Sequence, residues 1–86
     1  MDNDTFRKWI SWKMGEARKD LAGGELTEAG RKSCQESLKW LEKAENMAKY
    51  SAGQAFRRFK KDYERSLARL GPEYLARYEA EGAALK

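Results

Sequence analysis

The sequence predicts an all-α fold, a small helical bundle of three main helices plus a short C-terminal helix. Three observations carry this expectation. Apolar residues recur at the 3.6-residue period almost everywhere and alternate with period two almost nowhere. The clearest punctuation, Gly23-Gly24 and Gly71-Pro72, falls between such periodic segments. The composition is that of a charged globular chain, 41% hydrophobic and 37% charged, with one proline and no long Ser, Gly or Gln tract. Eighty-six residues make one helical domain, 1–86. A chain of this size buries only roughly 60–65% of the surface it exposes when unfolded, so a second core would not fit.

The first helix spans about 4–21, with Asn3 or Asp4 as its cap and Gly23-Gly24 as its end. Phe6, Ile10, Ala17 and Leu21 share one face, and Trp9 and Met14 lie at its margins. Thr27 caps a second helix over 27–50. Cys34, Leu38 and Leu41 form one apolar arc there, and Trp40, Ala44 and Met47 form another beside it, with Gly30, Ser37 and Ala48 between. A face that broad can touch two neighbours at once, which marks this helix as the centre of the bundle.

Ser51 followed by Gln54 has the spacing of a capping box and starts a third helix over 52–70, although a continuous or kinked helix through Tyr50 to Gly53 fits the same residues. Gly71 stops it, and Pro72 suits the first turn of a fourth helix over 72–81 that frays after Gly82. Tyr74, Leu75 and Tyr78 supply its apolar residues. No repeat of solenoid length is present.

Charge is concentrated in the third helix. Residues 51–71 hold six cations and two anions, and that +4 equals the net charge of the whole chain. On a helical wheel Phe56, Phe59, Tyr63, Leu67 and Leu70 fall within about 80° and face the core, while Arg57, Lys61, Arg65 and Arg69 follow one another at intervals of four, with Arg58 beside them. Like charges four apart cost an isolated helix roughly 0.2–0.5 kcal/mol per pair. The ladder therefore runs against stability. It is either a solvated face, with Asp62 and Glu64 pairing to Arg58, Arg65 and Lys60, or a docking surface for something anionic.

A second candidate surface lies on the first helix, where Trp12 projects about 120° from Phe6 and falls near Lys8 and Lys19. Tryptophan beside cations suits an interface anchor, unless the C-terminal helix covers it.

Much chemistry is excluded by composition. The chain has no histidine, hence no imidazole base, no triad built on one and no Cys/His zinc site with its single Cys34. Cys34 sits on an apolar face and reads as a buried small hydrophobe. The stretch from Gly24 to Ser33 is no phosphate-binding loop: its glycines are six positions apart, Gly24 and Gly30, Arg31 precedes the lysine, and no strand leads into it. Asp2, Asn3 and Asp4 alone make no calcium loop. No catalytic, cofactor or metal residue is assigned.

MDNDTFRKW lacks the basic region and apolar core of a signal peptide, no run approaches the ~18 apolar residues of a membrane span, and a lone cysteine points to a reducing compartment. A cytoplasmic location is expected. Together these features predict a small non-catalytic regulatory or inhibitory protein, docking stoichiometrically on an acidic surface of a protein partner. Arg57, Arg58, Lys61, Arg65 and Arg69 would steer it, and Trp12, flanked by Lys8 and Lys19, would anchor it. Small size without catalytic residues is also what phage and mobile-element accessory proteins share. The alternative is a DNA- or RNA-binding protein using the same ridge on phosphates. A peripheral membrane binder is the third and weakest reading, and a homo-oligomer is compatible with all three.

Overall fold

The computed structural model describes all 86 residues. It contains four helices and no strand: α1 (Asn3–Gly23), α2 (Glu28–Tyr50), α3 (Gly53–Leu70) and α4 (Pro72–Leu85). No helix is long and apolar enough to cross a membrane.

The caps explain most of the boundaries. Asp2, one residue ahead of the expected cap, has extended backbone, and its carboxylate accepts a 2.7 Å hydrogen bond from the Thr5 N–H. That bond holds the Asp2 carboxyl below the usual carboxylate range. Asn3 and Asp4 lie inside the first turn instead, where the Asp4 carboxylate favours the helix dipole and takes the Arg7 guanidinium at 3.0 Å. Gly24 closes α1 in the left-handed region at φ 70°. Thr27 caps α2 through its hydroxyl, which accepts from the Gly30 N–H at 3.1 Å.

Between α2 and α3 the chain breaks. Ser51 and Ala52 are both extended, which rules out one continuous helix. Ser51 does not cap α3: its N–H closes α2 on the Met47 carbonyl and its hydroxyl lies 3.6 Å from the Met47 sulfur, so Ala52 precedes α3 without a side-chain cap. The Ser51/Gln54 capping box is therefore not formed. Gly71 sits at φ 153°, ψ 151°, a region open essentially to glycine alone, and Pro72 follows at the first position of α4. Helix α4 runs on past Gly82 to Leu85 because both ends of that turn pack: Gly82 is buried against the Met1 side chain, and Leu85 reaches the core cluster.

The centre of the bundle is α1, not α2. Helices α1 and α3 each touch all three others, whereas α2 and α4 do not meet. Six residues of α1 are buried, Thr5, Phe6, Trp9, Ile10, Met14 and Ala17, against Leu41 and Ala44 of the longer α2. With neighbours on several sides, α1 needs a wider apolar stripe than a one-sided helix. Trp9 and Met14, expected at its margins, are accordingly buried. The two arcs of α2 are covered only in part, leaving Cys34, Leu38, Trp40 and Met47 half-buried. Cys34 rests 3.5 Å from the Ala17 carbonyl with its thiol as donor.

The core is largely aromatic. The fully buried Phe6 ring has Trp9, Phe56, Tyr63 and Tyr78 around it at centroid distances of 5.7, 5.5, 6.3 and 6.3 Å. Offset and edge-on pairs of this kind add about 0.5–1.5 kcal/mol each beyond area burial. From α3, Phe56 and Leu67 are buried and Phe59 and Tyr63 half-buried, but Leu70 is 68% exposed. Its wheel position is on the apolar arc; it lies in the last turn, where the chain swings away at Gly71 and little packs over it.

Burial, with the nearby Glu81 charge, pushes the Tyr63 phenol up to about 12. Tyr78 is raised further, first by burial and then by donating a 2.9 Å hydrogen bond to the Glu64 carboxylate. The sign of the linkage follows. An unfolded phenol loses its proton near 10 while the folded one keeps it, so this stability is intact below pH 10 and is lost as pH rises towards 12. Urea midpoints should be flat from pH 8 to 9.5 and fall steeply above pH 10, with ionisation of Tyr63 and Tyr78, read at 295 nm, coinciding with unfolding. Phenolate absorbance saturating before any loss of helical signal would contradict this account.

Candidate docking surface

Helix α3 is strongly two-sided because its cations are spaced by four and its aromatics by three and four. Arg57, Arg58, Lys61, Arg65 and Arg69 are all exposed on the side opposite Phe56 and Leu67. The first four surround a shallow depression of about 310 Å³, completed by Gln54 and Asp62 and without an apolar residue. Arg69 continues the row one turn further along.

Few anions balance this row. Arg65 reaches Asp62 at 3.7 Å, with both side chains largely exposed, and Arg57, Arg58, Lys61 and Arg69 form no ion pair. A solvent-exposed pair of that length contributes at most about 1 kcal/mol. Glu64, expected to pair along α3, turns inward instead: one carboxylate oxygen takes both the Met1 amino group at 3.4 Å and the Tyr78 hydroxyl at 2.9 Å. Lys60 is removed from the row as well, since it is buried and donates to the Met1 carbonyl. The expected pairing of Lys60 and Arg58 with α3 carboxylates is thus absent. Glu64 lies only about 80° from Phe56 on the wheel, so its turn towards α4 was readable once α4 had been placed there.

Trp12 is 38% exposed, so α4 leaves much of the ring uncovered. Lys8 and Lys19 are exposed and free of ion pairs, but neither lies over that ring. Lys13 does, at 4.8 Å from the centroid, while its ammonium also pairs with Glu81 at 2.8 Å. Lys13 went unnoticed in the sequence because neighbours one apart point about 100° away from each other; the long stem makes up the difference. Trp12 borders neither the Gln54–Arg65 depression nor the next one along α3, formed by Met1, Lys61, Glu64, Arg65, Ala68, Leu75 and Glu79.

An exposed apolar pair follows the ridge in sequence, with Leu70 about 140° from Arg65 on the wheel. Leu70 and Tyr74, 68% and 51% exposed, stand at the α3–α4 corner just after Arg69. Trp12→Ala should lower stability by less than about 1 kcal/mol, as for an exposed cation–π contact, whereas Trp9→Ala should cost about 3–5 kcal/mol. Comparable losses in urea denaturation would mean that Trp12 is a core residue.

The structure contains no cluster of three or more His, Cys, Asp or Glu arranged to hold a metal ion. No protein-family model, curated protein or solved structure matches the chain, and the geometry of these surfaces carries the functional reading by itself.

Proposed function

We propose that the protein works by stoichiometric binding, as a non-catalytic regulatory or inhibitory protein that docks its α3 ridge on an acidic surface of a protein partner. The observation that carries this reading is that four of the five ridge cations, Arg57, Arg58, Lys61 and Arg69, form no ion pair. An uncompensated row of cations raises the rate of encounter with an anionic surface. Leu70 and Tyr74, exposed at the α3–α4 corner beyond Arg69, favour a protein over a nucleic acid. They supply the desolvated apolar contact that protein interfaces centre on, and phosphate contacts do not need it.

A second reading rests on a different observation. The depression between Arg57 and Arg65 is lined by polar side chains alone, as a phosphate-binding surface would be. Fluorescence anisotropy of labelled duplex DNA, single-stranded DNA and RNA, at low and near-physiological salt, separates the two. The docking reading expects no tight binding to any of them. Tight binding that weakens steeply with salt would replace it with the nucleic-acid reading.

A further inference from the structure

A second surface, independent of the α3 ridge, has the character of a ligand site. Where α1, α2 and α3 converge, Trp9, Lys13, Ser37, Trp40, Leu41 and Tyr63 line a cleft of about 380 Å³. Ligand clefts occupy roughly 300–1,000 Å³ and combine apolar walls with a few converging polar groups. We propose that this cleft binds a flat aromatic ring carrying an anionic group, with the ring against Trp40 and Tyr63 and the anion at Lys13.

The aromatic half of the argument is geometric. Trp40 stacks on Phe59 at 5.4 Å and meets Tyr63 at 4.4 Å, so its ring is held in place from the protein side. Both Trp40 and Tyr63 nevertheless remain half-buried and border the opening. Held rings with accessible surface suit a planar guest, because stacking needs area and costs little side-chain entropy when the host rings are already fixed.

Charge selects the kind of guest. Lys13 is the one charged residue lining the cleft. It is positioned from outside: Glu81 binds its ammonium at 2.8 Å, and Glu81 is itself fixed by the Trp9 indole N–H at 3.3 Å. An ammonium has three donors and Glu81 accepts one, so donors remain for an incoming carboxylate or phosphate. The hydroxyls of Ser37 and Tyr63, without intramolecular partners and open to solvent, add hydrogen bonds. A nucleotide base with its phosphate and an aromatic acid share this chemistry.

Indole-3-acetate, indole and tryptamine present one ring with charges of −1, 0 and +1. Titrated into 15N-labelled protein, they can be followed on the indole N–H signals of its three tryptophans. Indole-3-acetate should shift the Trp9 and Trp40 signals saturably and bind about tenfold more tightly than indole, as a charge-assisted hydrogen bond implies, with tryptamine weakest. Lys13→Gln, which leaves the Glu81 carboxylate unpaired beside the cleft, should remove the preference for indole-3-acetate over indole. Ser37→Phe, which fills the cleft from an exposed position, should abolish binding. Adenosine 5′-monophosphate and a short single-stranded oligonucleotide, run in parallel, tell a free nucleotide from a strand as the source of ring and anion. Absence of saturable shifts with every probe, equal affinities for the three indoles in the wild-type protein, or undiminished binding by Ser37→Phe would each overturn the assignment.

Discussion

Phe6→Ala should cost about 3–5 kcal/mol and leave much of the protein unfolded at 37 °C. Phe6 is completely buried, and its ring is the one that Trp9, Phe56, Tyr63 and Tyr78 all meet. The four partners come from α1, α3 and α4, so truncation opens a cavity where three helices converge, and no single side chain can move in to fill it. A chain of 86 residues has a total stability of roughly 4–13 kcal/mol, and the loss is a large part of that. Urea denaturation followed by helical circular dichroism measures it. Phe6→Leu, which keeps most of the volume, should recover more than half of the loss. A cost under about 1 kcal/mol for Phe6→Ala would mean that the aromatic cluster is not the centre of the fold.

Reversing Arg57, Lys61, Arg65 and Arg69 to glutamate should leave the fold intact and weaken partner binding roughly a hundredfold, the scale of electrostatic steering. Each reversal subtracts two charges, so the four together take the net charge from +4 to −4. Stability should change by less than about 1 kcal/mol, because one ladder of like charges replaces another on an exposed face. Replacement of the same four residues by glutamine should give an intermediate affinity and a smaller salt dependence. The readout is the affinity of each variant for the protein that wild type binds, measured at two ionic strengths. Unchanged affinity in the reversed variant would reduce the ridge to a solvated face. Leu70→Ser tests the apolar contact separately, and its effect should be independent of salt.

The periodicity of the sequence made the helical class and the two sides of α3 legible, because both depend on local spacing. Relations between helices were not. Breadth of apolar surface suggested α2 as the centre, yet a helix with two apolar arcs can leave both half-covered, while α1 buries more with a narrower apparent stripe. Leu70 shows the same limit: its angular position placed it on the core side, but burial also requires a neighbour at that height along the axis. Asp2 was passed over as a cap for the adjacent Asn3 and Asp4, a choice that residue type alone could not decide. At the candidate surface, the row of cations was readable residue by residue. The fate of Glu64, Lys60 and Lys13 was not, since each is engaged with a group from a distant part of the chain, at Met1, Tyr78 or Glu81.

Because α1 packs most extensively on its sequence neighbour α2, and α3 on its sequence neighbour α4, two helical hairpins account for most of the packing. Hairpins of this kind close small loops, and proteins rich in such local contacts fold in microseconds to milliseconds. Each hairpin can therefore form early and by itself, and docking the two together through Phe6, Phe56 and Tyr78 completes the fold. Helix α2 joins that final step least, since it never meets α4. In the native ensemble its amides should exchange with solvent sooner than those of α1, although α2 is the longest helix.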